Sequence, residues 1–129
     1  MLSITTKSPY AIAALAELGR AGEDAPVPIG ELARRREIPV QFLEQLFAAL
    51  RRAGILQSFR GVKGGYSFAR APETISVLEV VELLDGSLGA GATGVFAEAA
   101  DAARAVLGAM TIREVIEREA RDGGAMYYI

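Results

Sequence analysis

Apolar residues recur at spacings of three and four along most of the chain, which is the period of an amphipathic helix. The pattern predicts helices over residues 4–22, 29–36, 39–53, 76–86 and 95–110, and a short one from 111. In the third helix five large side chains share one face: Phe42, Leu43, Leu46, Phe47 and Leu50. We expect that face to lie in the core and the opposite face to stay in solvent.

The period changes after Gly54. Residues 55–59 and 66–69 have the composition of short strands, and the glycine-rich segment 60–65 joins them, so a β-hairpin is predicted. Two helices joined by a tight turn at 37–39 and followed at once by such a hairpin form the winged helix-turn-helix layout. The predicted fold class is therefore mostly α with a small β-hairpin wing: a winged helix-turn-helix domain plus C-terminal dimerisation helices.

The elements predict four parts along the chain. Residues 1–85 form the winged helix-turn-helix DNA-binding domain, and residues 86–94 form a flexible glycine-rich loop. Residues 95–121 form the dimerisation helices, and residues 122–129 form a tail that frays unless it docks.

Two of the predicted helices begin with a capping-box pattern, in which a hydroxyl residue precedes a glutamate by three positions. The pairs are Ser76 with Glu79 and Thr111 with Glu114. In this motif the hydroxyl accepts from the backbone amide of the glutamate, and the carboxylate reaches back to the amide of the capping residue.

Composition limits the chemistry of the chain. Its 129 residues are 51% apolar, which suits one domain or one small domain with an oligomerisation arm. The absence of cysteine and histidine removes thiolate nucleophiles, imidazole bases and the usual ligands of zinc, haem and iron–sulfur clusters. We therefore expect no enzyme, no cofactor and no metal site. No apolar run approaches the roughly 20 residues of a membrane span, and no signal-peptide order opens the chain, so a cytoplasmic protein without a membrane partner is expected.

The net charge of −2 hides an asymmetry along the chain. Residues 28–70 hold eight cations against three acids, whereas residues 71–129 hold four cations against ten acids. A basic segment inside an acidic chain indicates one anion-binding face, with a merely solvated face as the alternative.

Three residues near the start of the third helix lie off its apolar face: Val40, Gln41 and Glu44. Glutamine can bond bidentately to adenine, and glutamate can accept from the N4 amine of cytosine, so these are candidate base-reading residues. An exposed face without a ligand explains them equally well.

The predicted wing and the end of the third helix supply the other candidates. Arg60 and Lys63 lie at the hairpin tip beside Gly61, and cations there suit the negative potential of a narrow minor groove. Turn geometry alone would also explain the glycine. Arg51 and Arg52 either complement the helix dipole or contact phosphates, and the sequence leaves both interpretations open.

Residues 89–94 match the pattern G-x-G-x-x-G letter for letter. The dinucleotide-binding form of that motif follows a buried strand, whereas an amphipathic helix precedes it here. A flexible loop is therefore favoured over a nucleotide site.

The sequence is similar to the Rrf2 family of bacterial winged-helix regulators, of the IscR, NsrR and CymR kind. Three motifs carry the resemblance, in family order and spacing: Phe-Leu-Glu-Gln-Leu from 42, Leu-Arg-x-Ala-Gly from 50, and Arg-Gly-x-x-Gly-Gly-Tyr from 60. Lys7 and Tyr10 resemble the N-terminal Lys-Gly-Arg-Tyr of the family, although Ser8 and Pro9 replace its middle.

The resemblance implies a homodimer joined through the helix near 96–110, binding to a palindromic operator in double-stranded DNA, and control of transcription. Gln41 and Glu44 match the positions where the family reads bases. Arg60 and Gly61 match the positions where its wing enters the minor groove.

One departure from the family changes the expectation. Iron–sulfur members carry three cysteines before the dimerisation helix, and residues 86–96 contain none. The resemblance then favours a member that answers a small-molecule or protein effector, or that binds DNA without a signal. The loop at 86–94 marks the place of an effector-responsive segment.

The predicted function is a dimeric, sequence-specific DNA-binding transcriptional regulator, with repression favoured. The alternative is a winged-helix protein–protein interaction module without specific DNA binding, whose basic face docks an acidic partner. The acidic pI of about 5.2 keeps that alternative open.

Overall fold

The predicted helices and hairpin are all present in the computed structural model, which describes residues 4–22 and 25–122. In chain order the elements are α1 (Lys7–Arg20), α2 (Ile29–Arg36), α3 (Val40–Arg52), β1 (Leu56–Phe59), β2 (Gly65–Phe68), a 3₁₀ helix (Pro72–Thr74), α4 (Val77–Asp85), α5 (Val95–Ala109) and α6 (Ile112–Arg121). The 3₁₀ helix lies in a segment whose pattern predicted only a connector.

Helix α1 is the centre of the core, and α2, α4 and α6 pack around it. Its alanines let these neighbours approach closely, and Ala11, Ala14 and Leu15 have no exposed surface. The apolar face of α3 is buried as predicted, apart from Phe42, which is half-buried and meets the edge of the Tyr10 ring with centroids 5.7 Å apart.

The turn between α2 and α3 depends on Glu37, whose φ of 55° places it in the left-handed region. A residue in this conformation ends a helix by turning the chain away from the helix axis. The Ile38 amide then donates to the Ala33 carbonyl at 2.9 Å, and the Ile38 side chain is buried. The angle between the two helices is thus fixed by backbone geometry.

The hairpin is antiparallel, with Leu56 opposite Phe68 and Phe59 opposite Gly65. Val27, in the segment between the first two helices, is buried and forms a bridge with Tyr66 through two backbone hydrogen bonds of 2.9 Å. This bridge could not be predicted from the hydrophobic pattern, because a single bridging residue has no periodicity. A Cβ at Gly65 would lie 2.3 Å from the Val27 carbonyl oxygen, so glycine is required there.

Both predicted helix caps form, but only in part. The hydroxyls of Ser76 and Thr111 accept from the amides of Glu79 and Glu114 at 3.0 and 3.1 Å. The expected return bond from Glu79 is absent among the described residues, because its carboxylate binds Arg70 at 2.6 Å instead. Arg70, which follows β2, thus takes the place of the backbone amide as the partner of this glutamate.

The loop at 86–94 consists of turns, closed by bonds from Ala90 to Ser87 and from Ala92 to Gly89, and its Leu88 is buried. Helix α5 follows with two apolar sides, whereas its pattern predicted one. Ala100, Ala103 and Leu107 face the core, but Val95 and Val106 are exposed. Alanines do not mark a buried side, and Phe96 and Leu107 share one side of the helix although only Leu107 packs on the core, so the pattern could not separate the two sides.

Helix α6 packs on α1 and on the 3₁₀ helix, burying Ile112, Val115 and Ile116. The predicted division between residues 1–85 and 95–121 remains a prediction, and most of the predicted tail, 123–129, lies outside the described residues. None of the helices in the described ranges is long and apolar enough to span a bilayer.

Candidate nucleic-acid interface

The predicted site residues of α3 share its solvent face. At 100° per residue, the exposed positions of this helix form one arc opposite the buried stripe. The arc holds Val40, Gln41, Glu44, Arg51 and Arg52, all of them exposed. Base-reading candidates therefore lie at its N-terminal end and cations at its C-terminal end.

The wing tip is a tight turn. The Gly64 amide donates to the Gly61 carbonyl at 3.0 Å, so Val62 and Lys63 are the central residues of the turn and Arg60 directly precedes it. Gly61 has a φ of 101°, and a Cβ at Gly64 would lie 2.2 Å from the Phe59 carbonyl oxygen, so the turn needs both glycines. The predicted residues Arg60, Gly61 and Lys63 are all exposed.

The wing is fixed to α3 close to its turn, at Tyr66, which pairs with Ser58. The Tyr66 ring packs edge-on against the buried Phe47 ring with centroids 5.1 Å apart, and Tyr66 is also held by its bridge to Val27. The hairpin therefore projects from the rear of α3 at a defined angle, with its tip in solvent.

Three of the eight cations in the basic segment form ion pairs with carboxylates of the fold. Arg70 binds Glu79, and the hydrogen bond that it donates to that carboxylate raises the pKa of Arg70. Arg35 binds Glu17 and Glu31, and the Glu17 hydrogen bond contributes most to raising the pKa of Arg35. Arg36 is the third of these cations.

Arg36 belongs to a buried ion cluster that joins three helices. It binds Glu17 of α1 at 3.0 Å and Glu119 of α6, while Arg20 lies 3.9 Å from Glu119. Burial disfavours the charge on Arg36, but its bonds to Glu119 and Glu17 outweigh this and raise its pKa. Likewise, burial of Glu17 is outweighed by its bonds from Arg36 and Arg35, which lower its pKa. The cluster holds α2 against α1 and α6.

The other five cations of the basic segment form no ion pair with the residues that the structure describes. They are Arg34, Arg51, Arg52, Arg60 and Lys63. All five are exposed, and they belong to α2, α3 and the wing. Arg34 is an addition to the predicted site, since in the sequence it is indistinguishable from its neighbours Arg35 and Arg36. Pairing in the fold separates the three.

Comparison with known proteins agrees with the resemblance. Residues 4–94 match the model of the Rrf2 family, described as an iron-dependent transcriptional regulator. The chain is 39% identical over 100 residues to the HTH-type transcriptional regulator IscR of Cereibacter sphaeroides, a match that covers 72% of this chain and 64% of the relative. The matches to the first curated relatives cover less than two thirds of their length.

Solved structures confirm the winged-helix fold. The chain superposes on T. potens IscR with a TM-score of 0.82 and 31% identity, covering 98% of this chain and 97% of the other. It superposes equally well on CymR, the global cysteine regulator of B. subtilis, with a TM-score of 0.82, 26% identity, and coverage of 92% and 98%.

The iron in the family description does not fit the donor atoms of this chain. The whole sequence lacks cysteine and histidine, and no group of three Asp or Glu side chains within the described ranges is arranged to hold a metal. In the loop at 86–94, the nearby Glu82 carboxylate accepts from the Leu88 amide at 3.0 Å and pairs with Arg104. That carboxylate is committed to holding the loop against α5.

Proposed function

Because the chain belongs to the Rrf2 family of transcriptional regulators, we propose that it is a sequence-specific DNA-binding repressor that acts as a homodimer on a palindromic operator. Members of this family are regulators rather than enzymes, in agreement with the predicted absence of catalysis. The observation that carries the proposal is the set of five unpaired cations on α2, α3 and the wing. Unpaired cations on one module are the means by which a protein neutralises phosphates.

In this proposal α3 enters the major groove with its N-terminal end against the bases. Gln41 bonds to adenine, Glu44 accepts from cytosine N4, and Val40 contacts a thymine methyl. No described side chain bonds to Gln41 or Glu44, so both are available to bases.

The cations contact the DNA backbone around the base-reading residues of α3. Arg34, Arg51 and Arg52 contact phosphates on either side of the groove, and Lys63 contacts the backbone from the wing. Arg60 enters the adjacent minor groove, where the negative potential is strongest. The backbone contacts set the register, and the helix reads the sequence.

The proposed dimer joins through the exposed side of α5. Five small or β-branched residues form a stripe there with spacings of four, three, four and three: Val95, Ala99, Ala102, Val106 and Ala109. This spacing is typical of a helix seam, and Ala102 lies at the centre of the stripe. Two copies crossing antiparallel at Ala102 would bury the stripe of each against the other.

We further propose that this regulator works without an iron–sulfur cluster. The segment at 86–94 offers no thiolate or imidazole. The loop is instead held to α5 by Glu82, which accepts from the Leu88 amide and pairs with Arg104. A small-molecule or protein effector, if one acts, would act by loosening this loop. A repressor of this kind works in the cytoplasm, where the bacterial chromosome lies.

The test is capture of genomic fragments by the purified protein at low and near-physiological salt. We expect one palindromic site to be recovered at both salt concentrations. A double variant, Gln41→Ala with Glu44→Ala, keeps every cation and serves as the control. It should retain salt-sensitive binding but lose the preference for that site.

Failure to enrich any site, with binding that disappears at the higher salt, would contradict the proposal and favour the protein-interaction alternative. Repression itself is tested by placing the recovered site within a reporter promoter. Expression should fall when the protein is produced, and a rise would show activation instead.

A further inference from the structure

The wing tip presents one apolar side chain that the charge pattern does not explain. Val62 has a relative exposure of 102%, which is the largest among the exposed apolar side chains of the described residues. Full exposure of a branched apolar side chain brings no stability to the fold. We therefore ask which binding partner could cover this side chain.

Val62 stands between two cations that have no carboxylate partner among the described residues. It is a central residue of the turn closed by the Gly64 amide and the Gly61 carbonyl, with Arg60 before the turn and Lys63 next to it. A surface that binds this tip has to be anionic at its edges and apolar between them. The DNA minor groove meets both conditions, because phosphates line its edges and sugar carbons form its walls.

The shape of the tip also suits the DNA minor groove. A two-residue turn between glycines is narrow, and the minor groove is only about 6 Å wide. Valine is stiff about χ1, so little conformational entropy is lost when its methyl groups are packed. The hairpin is held close to its turn by Tyr66, which packs against Phe47, so the tip approaches a groove as a fixed projection.

We propose that Val62 inserts into the minor groove beside Arg60 and makes the wing selective for A·T pairs. The 2-amino group of guanine projects into this groove, and a valine methyl placed against it removes its water without offering an acceptor. A·T pairs have no such group. This inference rests on the proposed DNA-binding function and adds a specificity determinant to it.

The experiment uses an operator recovered by the wild-type protein, with the wing position located by protection of adenine N3 from methylation. Base pairs at that position are then changed from A·T to I·C and to G·C. An I·C pair has the minor groove of A·T and the major groove of G·C, so it separates readout in the two grooves.

We expect the wild type to bind the A·T and I·C operators alike and the G·C operator about 10-fold more weakly, in the range for one mismatched pair. The variant Val62→Ala should bind the A·T operator about fivefold more weakly and lose most of this discrimination. Val62→Thr keeps the shape and adds a hydroxyl acceptor, so it should tolerate G·C better than the wild type. Because the side chain is fully exposed, both variants should unfold at the wild-type temperature.

Equal affinities of wild type and Val62→Ala, with the G·C penalty unchanged, would overturn the inference while leaving the proposed function intact. A penalty shared by I·C and G·C would also overturn it, because the readout would then lie in the major groove. Absence of any specific operator for the wild type would remove the proposed function and this inference together.

Discussion

Arg36 and Arg60 belong to the same basic segment, yet their side chains meet different surroundings. The Arg36 side chain is 4% exposed and lies between Glu17 and Glu119, so its charge is satisfied inside the fold. Arg60 is exposed at the wing and has no carboxylate partner in the described part of the chain. Only the second kind of cation is available to a phosphate, so the net charge of a segment overstates its anion-binding capacity.

At the residue scale we predict that Arg60→Ala weakens operator binding by about 1–3 kcal/mol and reduces the slope of log affinity against log salt by about one per chain. The reason is the loss of a cation from the minor groove. Fluorescence titration at several salt concentrations measures both quantities.

The matched control is Arg118→Ala. This residue is also exposed and unpaired in the described structure, but it lies on α6, which packs on α1 rather than on the wing. Its replacement should leave affinity and slope unchanged. Equal effects of the two substitutions would mean that only overall charge matters, and the wing would have no specific role.

At the element scale, the orientation of the helices that we propose to contact DNA depends on charges that lie away from the proposed interface. Glu17, Arg36 and Glu119 join α1, α2 and α6. The Glu119 side chain is 1% exposed, so its charge depends on Arg36 and, at longer range, on Arg20. Helix α2 is thus held by α6, although the two lie far apart in sequence.

We predict that Arg36→Met lowers the free energy of unfolding by about 3–5 kcal/mol, because a buried carboxylate loses its partner. Arg35→Ala removes a side chain that is 37% exposed and pairs with Glu17 and Glu31, so it should cost only about 1 kcal/mol. Urea denaturation of the three proteins measures both changes. Similar losses for the two variants would show that the buried position of Arg36 has no special importance.

The same cluster predicts a dependence of stability on pH. The pKa of Glu17 is lowered from its ordinary value of 4.5, because its bonds from Arg36 and Arg35 outweigh the effect of burial. A carboxyl group whose pKa is depressed by folding stabilises the protein above its unfolded pKa. This contribution is lost as the pH falls through the folded pKa.

Stability of the wild type should therefore decline as the pH falls below about 4.5. The variant Glu17→Gln should be less stable at neutral pH and should decline less steeply in acid. Urea midpoints measured across this range give both curves. Parallel curves for the two proteins would exclude Glu17 as a source of the acid sensitivity.

At the scale of the whole molecule, one side of α5 is left uncovered by the other described residues. The stripe on α5 is exposed, with Val95 at 69% and Val106 at 63%, whereas the opposite side of the helix packs on the core. An exposed apolar helix face is typical of an interface. A dimer through α5 would also give two copies of α3 the symmetry of a palindrome.

We predict that Ala102→Cys forms a disulfide-linked dimer under mild oxidation. The chain contains no cysteine, so the introduced thiol can pair only with its own copy across the symmetry axis. Non-reducing electrophoresis measures the linked fraction. The control Ala21→Cys, on an exposed position after α1, should stay unlinked at the same protein concentration. Linkage of both variants, or of neither, would argue against an antiparallel crossing at Ala102.

Much of the fold follows from local patterns in the sequence. The stripe from Phe42 to Leu50 determines that α3 exists and which side of it is buried, because large apolar residues at helical spacing leave only one side that can face water. Hydroxyl residues at Ser76 and Thr111 fix two helix starts for an equally local reason. The glycines of the wing fix the turn that places Arg60 and Lys63 at its tip.

The pairing of charges and the two sides of α5 were decided only by the tertiary structure. Arg34, Arg35 and Arg36 are identical in the sequence, and their separation into free and bound cations depends on Glu17 and Glu119, which other helices bring close. Likewise, alanines do not mark a buried side until neighbouring helices cover one of them. Local sequence determined where the elements lie, whereas contacts between residues distant in the chain determined which charges and which faces remained available for binding.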